Sequence, residues 1–97
     1  FPFSDLSNSK VRPAVVLACA NQSDWILCQI TSNPYGDAQA IVIERTDFAS
    51  GMLRLQSYAR PSKLFTANEK LIIAIEGTLK PEKLKEIREA IIKILSS

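Results

Sequence analysis

The side chains with the widest chemical reach in this sequence stand at the open end of two adjacent β-rich runs. Arg12 lies in "NSKVRPAVVLACA", at the threshold of an almost wholly apolar stretch, and Thr31 closes "WILCQIT". The two runs are separated by "NQSD", a four-residue turn, which is a strong hairpin signal. If Ala20 pairs with Trp25, Thr31 faces Ala14 and Arg12 lies two positions further along. Opposed residues share a sheet face, so Arg12 and Thr31 are expected as diagonal neighbours, with roughly 7 to 8 Å between backbone positions. A slip of one residue sends them to opposite faces. Gln29 shares Thr31's face by alternation, and Pro13 sits at the strand entrance, where its missing N–H costs least. A guanidinium stays charged and presents a planar fork that matches phosphate oxygens. A hydroxyl beside it can donate or relay a hydrogen bond. The alternative reading of Arg12 is a surface ion pair or a lid over the strand end.

Other chemistries are poorly supplied. There is no histidine, so a Cys-His or Ser-His nucleophile pair is excluded. Cys19 and Cys28 lack a CxxC spacing and have no cluster of carboxylates beside them, so neither a zinc site nor any other metal or cofactor is expected. Both lie in apolar company and read as small buried hydrophobes in a reducing compartment. The hairpin register makes them diagonal rather than opposed, so free thiols are expected.

With 97 residues and 46% hydrophobic side chains, residues 1–97 are expected to form one domain with a single core. No apolar run approaches the roughly 20 residues that span a bilayer, and nothing resembles a signal peptide, so a cytoplasmic location is the default. The printed chain begins at Phe1 rather than methionine, from which a missing leading segment is expected. The formal charge is +2, and a division after Lys63 leaves six basic and five acidic residues on each side. Neither half is a basic arm, so any nucleic-acid site must rest on local residues.

The elements that must position these residues read as several strands followed by one helix. "FPFSDLSNSK" begins apolar and becomes a polar loop. After the hairpin and a second loop, "SNPYGD", a strand is expected over Ala38 to Glu44. Further strands are expected in "MLRLQSYA", "SKLFTA" and "LIIAIEG". In "TLKPEKLKEIREAIIKILSS" the period changes: Leu84, Ile87, Ile91, Ile94 and Leu95 recur at three- and four-residue steps, and Pro81 suits the first helical position. Glu82 and Lys93 agree with the helix dipole, and Glu89 and Lys93 have the favourable i,i+4 order. This helix is expected to cover a sheet, with a partner site as the alternative use of its stripe.

The ordered set "KVRPAVVL", "ILCQITS", "DFASGMLRLQSYARPSKLFT" and "EGTLKPEKLKEIREAIIKIL" resembles the MazF/PemK family of toxin endoribonucleases from bacterial toxin-antitoxin pairs, over nearly the whole chain. The most specific elements are the RP pair leading into the first long apolar strand and the I-T-S that ends the next. The resemblance implies an α+β, mainly β fold: a small SH3-like, partly open β-barrel with a C-terminal α-helix. It implies a homodimer that cuts single-stranded mRNA at short sequences without a metal and is inhibited by a cognate antitoxin. It places the catalytic arginine on Arg12 and the catalytic threonine on Thr31. A flexible loop over the RNA site corresponds to Ser4 through Lys10. The family's opening Gly-Asp strand before "PF" is absent from the printed chain, so the sheet is expected to lack an edge or part of its dimer surface.

Cleavage of RNA by its own 2′-hydroxyl requires removal of that proton, stabilisation of a pentavalent phosphorane and a proton for the departing 5′-oxygen. Arg12 suits the middle task, and Thr31 can serve a non-bridging oxygen. The base is left open between Asp5, which also reads as a turn residue, and assistance from Arg12. Lys10, Gln29, Ser32, Ser57, Arg60 and Lys63 are the further RNA-binding candidates, and Asp5 is counted with them. Ser57 falls where the family has a polar residue facing RNA; Arg60 and Lys63 offer phosphate contacts. Tyr35 and Tyr58 could stack on bases, whereas Trp25 reads as core or dimer contact. The competing reading is a toxin of the same fold, without nuclease activity, that docks on a topoisomerase through its helix; an inert structural module is the third.

Overall fold

The computed structural model describes residues 2–4, 9–34 and 36–97, with backbone alone described at 2–4 and 9–11. Among the described residues eight strands precede one helix: β1 Pro2–Ser4, β2 Ser9–Val11, β3 Ala14–Cys19, β4 Asp24–Thr31, β5 Ile41–Ile43, β6 Phe48–Gly51, β7 Ser57–Asn68, β8 Gly77–Leu79 and α1 Pro81–Ser96. The main sheet has the antiparallel order β3-β4-β7-β5 and curls into a half-barrel, while β1-β2 and β6-β8 form separate two-stranded ribbons. The protein is therefore α+β and mainly β, with a C-terminal helix, as its sequence leads one to expect.

The β3-β4 hairpin exists in a different register. Cys19, not Ala20, faces Trp25, and Ala20 N–H closes the turn on the Asp24 carbonyl at 2.8 Å. The register then shifts once more, between Val16 and Ala18, and leaves Leu17 as a bulge. The pairs that follow are Val16↔Leu27, Val15↔Cys28 and Ala14↔Gln29. Two one-residue shifts in the same direction cancel in face parity, so the residues meant to share a face still do. The carbonyl released at Leu17 accepts a hydrogen bond from Arg88 Nη2 at 3.2 Å, which ties the bulge to α1.

Strand β7 is a single 12-residue strand where two were expected on either side of Pro61. Its pairing with β4 runs Cys28↔Leu64 and then Ile30↔Ala59, so Arg60 through Lys63 lie opposite Gln29 alone. A proline has no ladder hydrogen to lose at such an irregularity, and this is where the long strand bends. The core lies on the concave side: Val15, Cys28, Ile30, Ile43 and Ala59 meet Ile87 and Ile91 of α1. The helix is thus the expected cover over the sheet, with Pro81 in its first turn.

Four other expectations are corrected. Ser4, Ser9 and Lys10 belong to strands rather than to the N-terminal loop, and 5–8 lie outside the described residues. The strand of Ala38 to Glu44 contracts to Ile41–Ile43. Residues 52–56 and 71–76 are not strands; in the latter stretch Ile73 and Ile75 are 64% and 86% exposed, so its apolar residues have no sheet face to enter. Glu89 pairs backward with Lys85 at 3.9 Å. On the inner side of the helix, Lys83 donates to the Val42 carbonyl at 3.1 Å and pairs with Glu86 at 2.8 Å and Asp47 at 3.6 Å. These contacts fasten the first turn of α1 to β5 and to the 3₁₀ turn at Arg45–Asp47.

Candidate functional site

Strand β4 organises the candidate site by alternation. Cys28 and Ile30 point into the core, so Gln29 and Thr31 occupy the opposite face. Tyr58 pairs with Thr31, and Ala59 is buried, so Tyr58 and Arg60 share that face from β7. On the other side of β4, the Ala14↔Gln29 register continued by two residues sets Arg12, which is exposed, opposite Thr31. Arg12 itself precedes β3, so this opposition is the register carried past the start of the strand, where the sequence predicts a diagonal. Gln29, Thr31, Tyr58 and Arg60 then form one band across β4 and β7, which Arg12 extends where the register is carried past the start of β3.

Thr31 is half-buried, and its hydroxyl is engaged twice with the same neighbour. Oγ1 donates to the Asn33 carbonyl at 2.9 Å and accepts the Asn33 N–H at 3.1 Å. This local turn ends the strand, and it fixes the oxygen while leaving a rotatable hydrogen. To donate to a ligand the hydroxyl must turn away from the Asn33 carbonyl.

Arg60 is anchored more firmly. Its Nε donates to Asp37 Oδ2 at 2.9 Å and its Nη1 to Gln29 Oε1 at 3.5 Å. Asp37 also accepts the Gln39 N–H at 2.9 Å. The hydrogen bond from Arg60 holds the Asp37 carboxyl below its ordinary value, reinforced by the Gln39 N–H and by the positive charges of Arg60 and Lys63, against a smaller opposing effect of burial. Sequence reasoning passed over Asp37 because "SNPYGD" reads as a turn; the available signal was an outward-facing arginine in a strand otherwise without a counter-ion.

The remaining candidates separate. Lys63 and Ser32 are exposed near this band. Ser57 is 4% exposed and donates its hydroxyl to the Leu55 carbonyl at 2.9 Å, so alternation turns it to the core side rather than to a ligand. Lys10 pairs with Phe3 through its backbone. Asp5 and Tyr35 lie outside the described residues. Cys28 is buried, and burial pushes its thiol up to about 11, whereas Cys19 is exposed, contrary to the expectation of two buried cysteines. Both are free thiols. Among the described residues no group of three or more His, Cys, Asp or Glu is gathered to hold a metal ion. A cleft of about 370 Å³ between Ile43, Phe48, Leu53 and Arg54 contains none of the candidates.

A curled half-barrel, a covering C-terminal helix and an outward band of arginine, threonine and glutamine define a small mainly-β protein with a polar sheet face. The model of the PemK-like, MazF-like toxins of type II toxin-antitoxin systems matches residues 2–95, and the chain belongs to that family. Membership makes it the toxin of a toxin-antitoxin pair, with an antitoxin as partner. No match was found among curated proteins. No helix among the described residues is long and apolar enough to cross a membrane.

Proposed function

We propose that this toxin is an endoribonuclease that cuts single-stranded mRNA at short specific sequences in the cytoplasm, by metal-independent transphosphorylation, as a homodimer restrained by its antitoxin. The observation that supports this reading is the β3-β4 register, Ala14↔Gln29, which carried past the start of β3 brings Arg12 to Thr31, with Gln29, Thr31 and Arg60 on one face of β4 and β7. In the reaction the 2′-oxygen forms a bond to phosphorus, the bond from phosphorus to the 5′-oxygen breaks, and a 2′,3′-cyclic phosphate and a 5′-hydroxyl result. Arg12 stabilises the charge that grows on the phosphorane, a task for which a permanently charged fork is fitted. Thr31 turns its hydrogen from the Asn33 carbonyl to a non-bridging oxygen. The 2′ proton passes to Asp5, or to water with the assistance of Arg12, and the departing 5′-oxygen takes a proton from water.

The test is incubation of the purified protein with a long single-stranded RNA in EDTA. Cutting is expected, and Arg12→Ala is expected to lower it by about 10³ or more, beyond the loss of a single neutral donor. Equal cutting by the variant would remove Arg12 from the site.

A further inference from the structure

Arg60 is held at several points. Its side chain is 20% exposed and that of Asp37 only 10%. Beneath it, the Cys28 thiol donates to the Arg60 carbonyl at 3.2 Å, and the next residue, Pro61, is fully buried. Backbone and head group are therefore both positioned before any ligand arrives. Of the five N–H donors of a guanidinium, Nε and one on Nη1 are committed to Asp37 and Gln29. Those of Nη2 have no protein acceptor among the described residues.

A carboxylate in contact with a guanidinium cancels most of its charge at a distance, so the pair adds little to attraction for a phosphate chain, which depends on uncompensated cations. The remaining directed donors are unaffected. Preset donors on a fixed fork are the equipment for reading acceptor atoms on a base edge, and unstacked bases of single strands expose such edges. Arg60 stands one strand from Thr31, and two strands from β3, which Arg12 precedes, roughly 5 to 10 Å across the sheet. That is the scale of one nucleotide.

We propose that Asp37, Arg60 and Gln29 form a base-reading element, in which Asp37 is a positioning residue and Arg60 donates to the acceptor edge of a base adjoining the scissile phosphate. Guanine O6 and N7, or a uracil carbonyl, supply such acceptors. The inference rests on the endoribonuclease reading and adds to it which residues set the sequence that is cut.

The experiment compares the parent with Arg60→Lys, Asp37→Asn and Gln29→Met on a long RNA in EDTA. Cut sites are mapped by primer extension at several salt concentrations, and each variant's melting temperature is recorded. Arg60→Lys keeps the cation and loses the fork, so preference for the parent's site over sites altered at one base is expected to fall about 10-fold or more. Asp37→Asn should relax the same position and steepen the salt dependence, because the arginine charge is then uncompensated. Gln29→Met should relax it more weakly. A purely structural cluster would slow all sites in step and leave the pattern unchanged, and that result in folded variants overturns the proposal. If the parent cuts no RNA, the endoribonuclease reading itself falls; if it cuts and only the variant patterns are unaltered, the base-reading role alone falls.

Discussion

Arg12's contribution to the proposed chemistry depends on where its planar fork of donors is placed. Thr31 differs: its hydrogen must leave the Asn33 carbonyl before it serves a phosphate. Thr31→Ala is expected to slow cutting by about 10² to 10³ and to lower stability by only about 1 kcal/mol, the worth of one hydrogen bond at a strand end. Thr31→Ser should restore most of the rate. RNA cleavage and denaturant unfolding of both variants check this together. Asp37 gives a signature in stability. Its carboxyl is held below the ordinary value of 3.8 when folded, so the stabilisation it provides is present above that value and is lost as pH falls through the folded-state value. The difference in urea midpoint between the parent and Asp37→Asn should accordingly shrink as the pH is lowered from about 5 to about 3. The cysteines provide a third check. Cys28 is buried with its thiol raised to about 11, and Cys19 is exposed; iodoacetamide should add one group to the native protein and two after unfolding, counted by mass spectrometry.

The elements depend on a few joints. In the β6-β8 ribbon, Gly51 has φ +72°, and a Cβ there would collide with the Glu76 carbonyl oxygen. Gly51→Ala should open this ribbon and lower the melting temperature, whereas Gly36, where a Cβ meets nothing within 4 Å, should bear alanine with only the cost of its own φ of +75°. On the helix, Lys83 joins α1 to the Val42 carbonyl and Asp47, and Lys83→Ala should cost about 1 to 3 kcal/mol by leaving those acceptors without their partner. Thermal and denaturant unfolding measure both. The helix was legible because its stripe has one period and one destination, with Ile87 and Ile91 in the core. The hairpin was legible as an element, yet its register was not: neither the earlier turn closure nor the bulge at Leu17 leaves a mark in residue type. Pro61 misled in the opposite sense, since punctuation in sequence became a bend inside one continuous strand. The Asp37–Arg60 pair was hidden for a related reason. Its members are 23 residues apart and meet only when the loop folds back over β7.

At the scale of the molecule, charge and apolar surface set different expectations. A formal net charge of +2 spread evenly along the chain provides no strong field to gather RNA, so the proposed function leaves selection to the local band of Arg12, Gln29, Thr31 and Arg60. Apolar surface instead bears on assembly. Leu71, Ile73 and Ile75 are 45%, 64% and 86% exposed along a stretch that pairs with no strand among the described residues. A second copy presents the same stretch, so a two-fold contact there would be self-complementary and would cover both at once. The proposed homodimer therefore predicts that Ile73→Lys combined with Ile75→Lys shifts the protein from dimer to monomer in sedimentation velocity at micromolar concentration. The fold should survive, because neither side chain enters the core. A dimer of undiminished affinity in the double variant would place the contact elsewhere on the surface, and a parent that sediments as a monomer would remove the homodimer altogether.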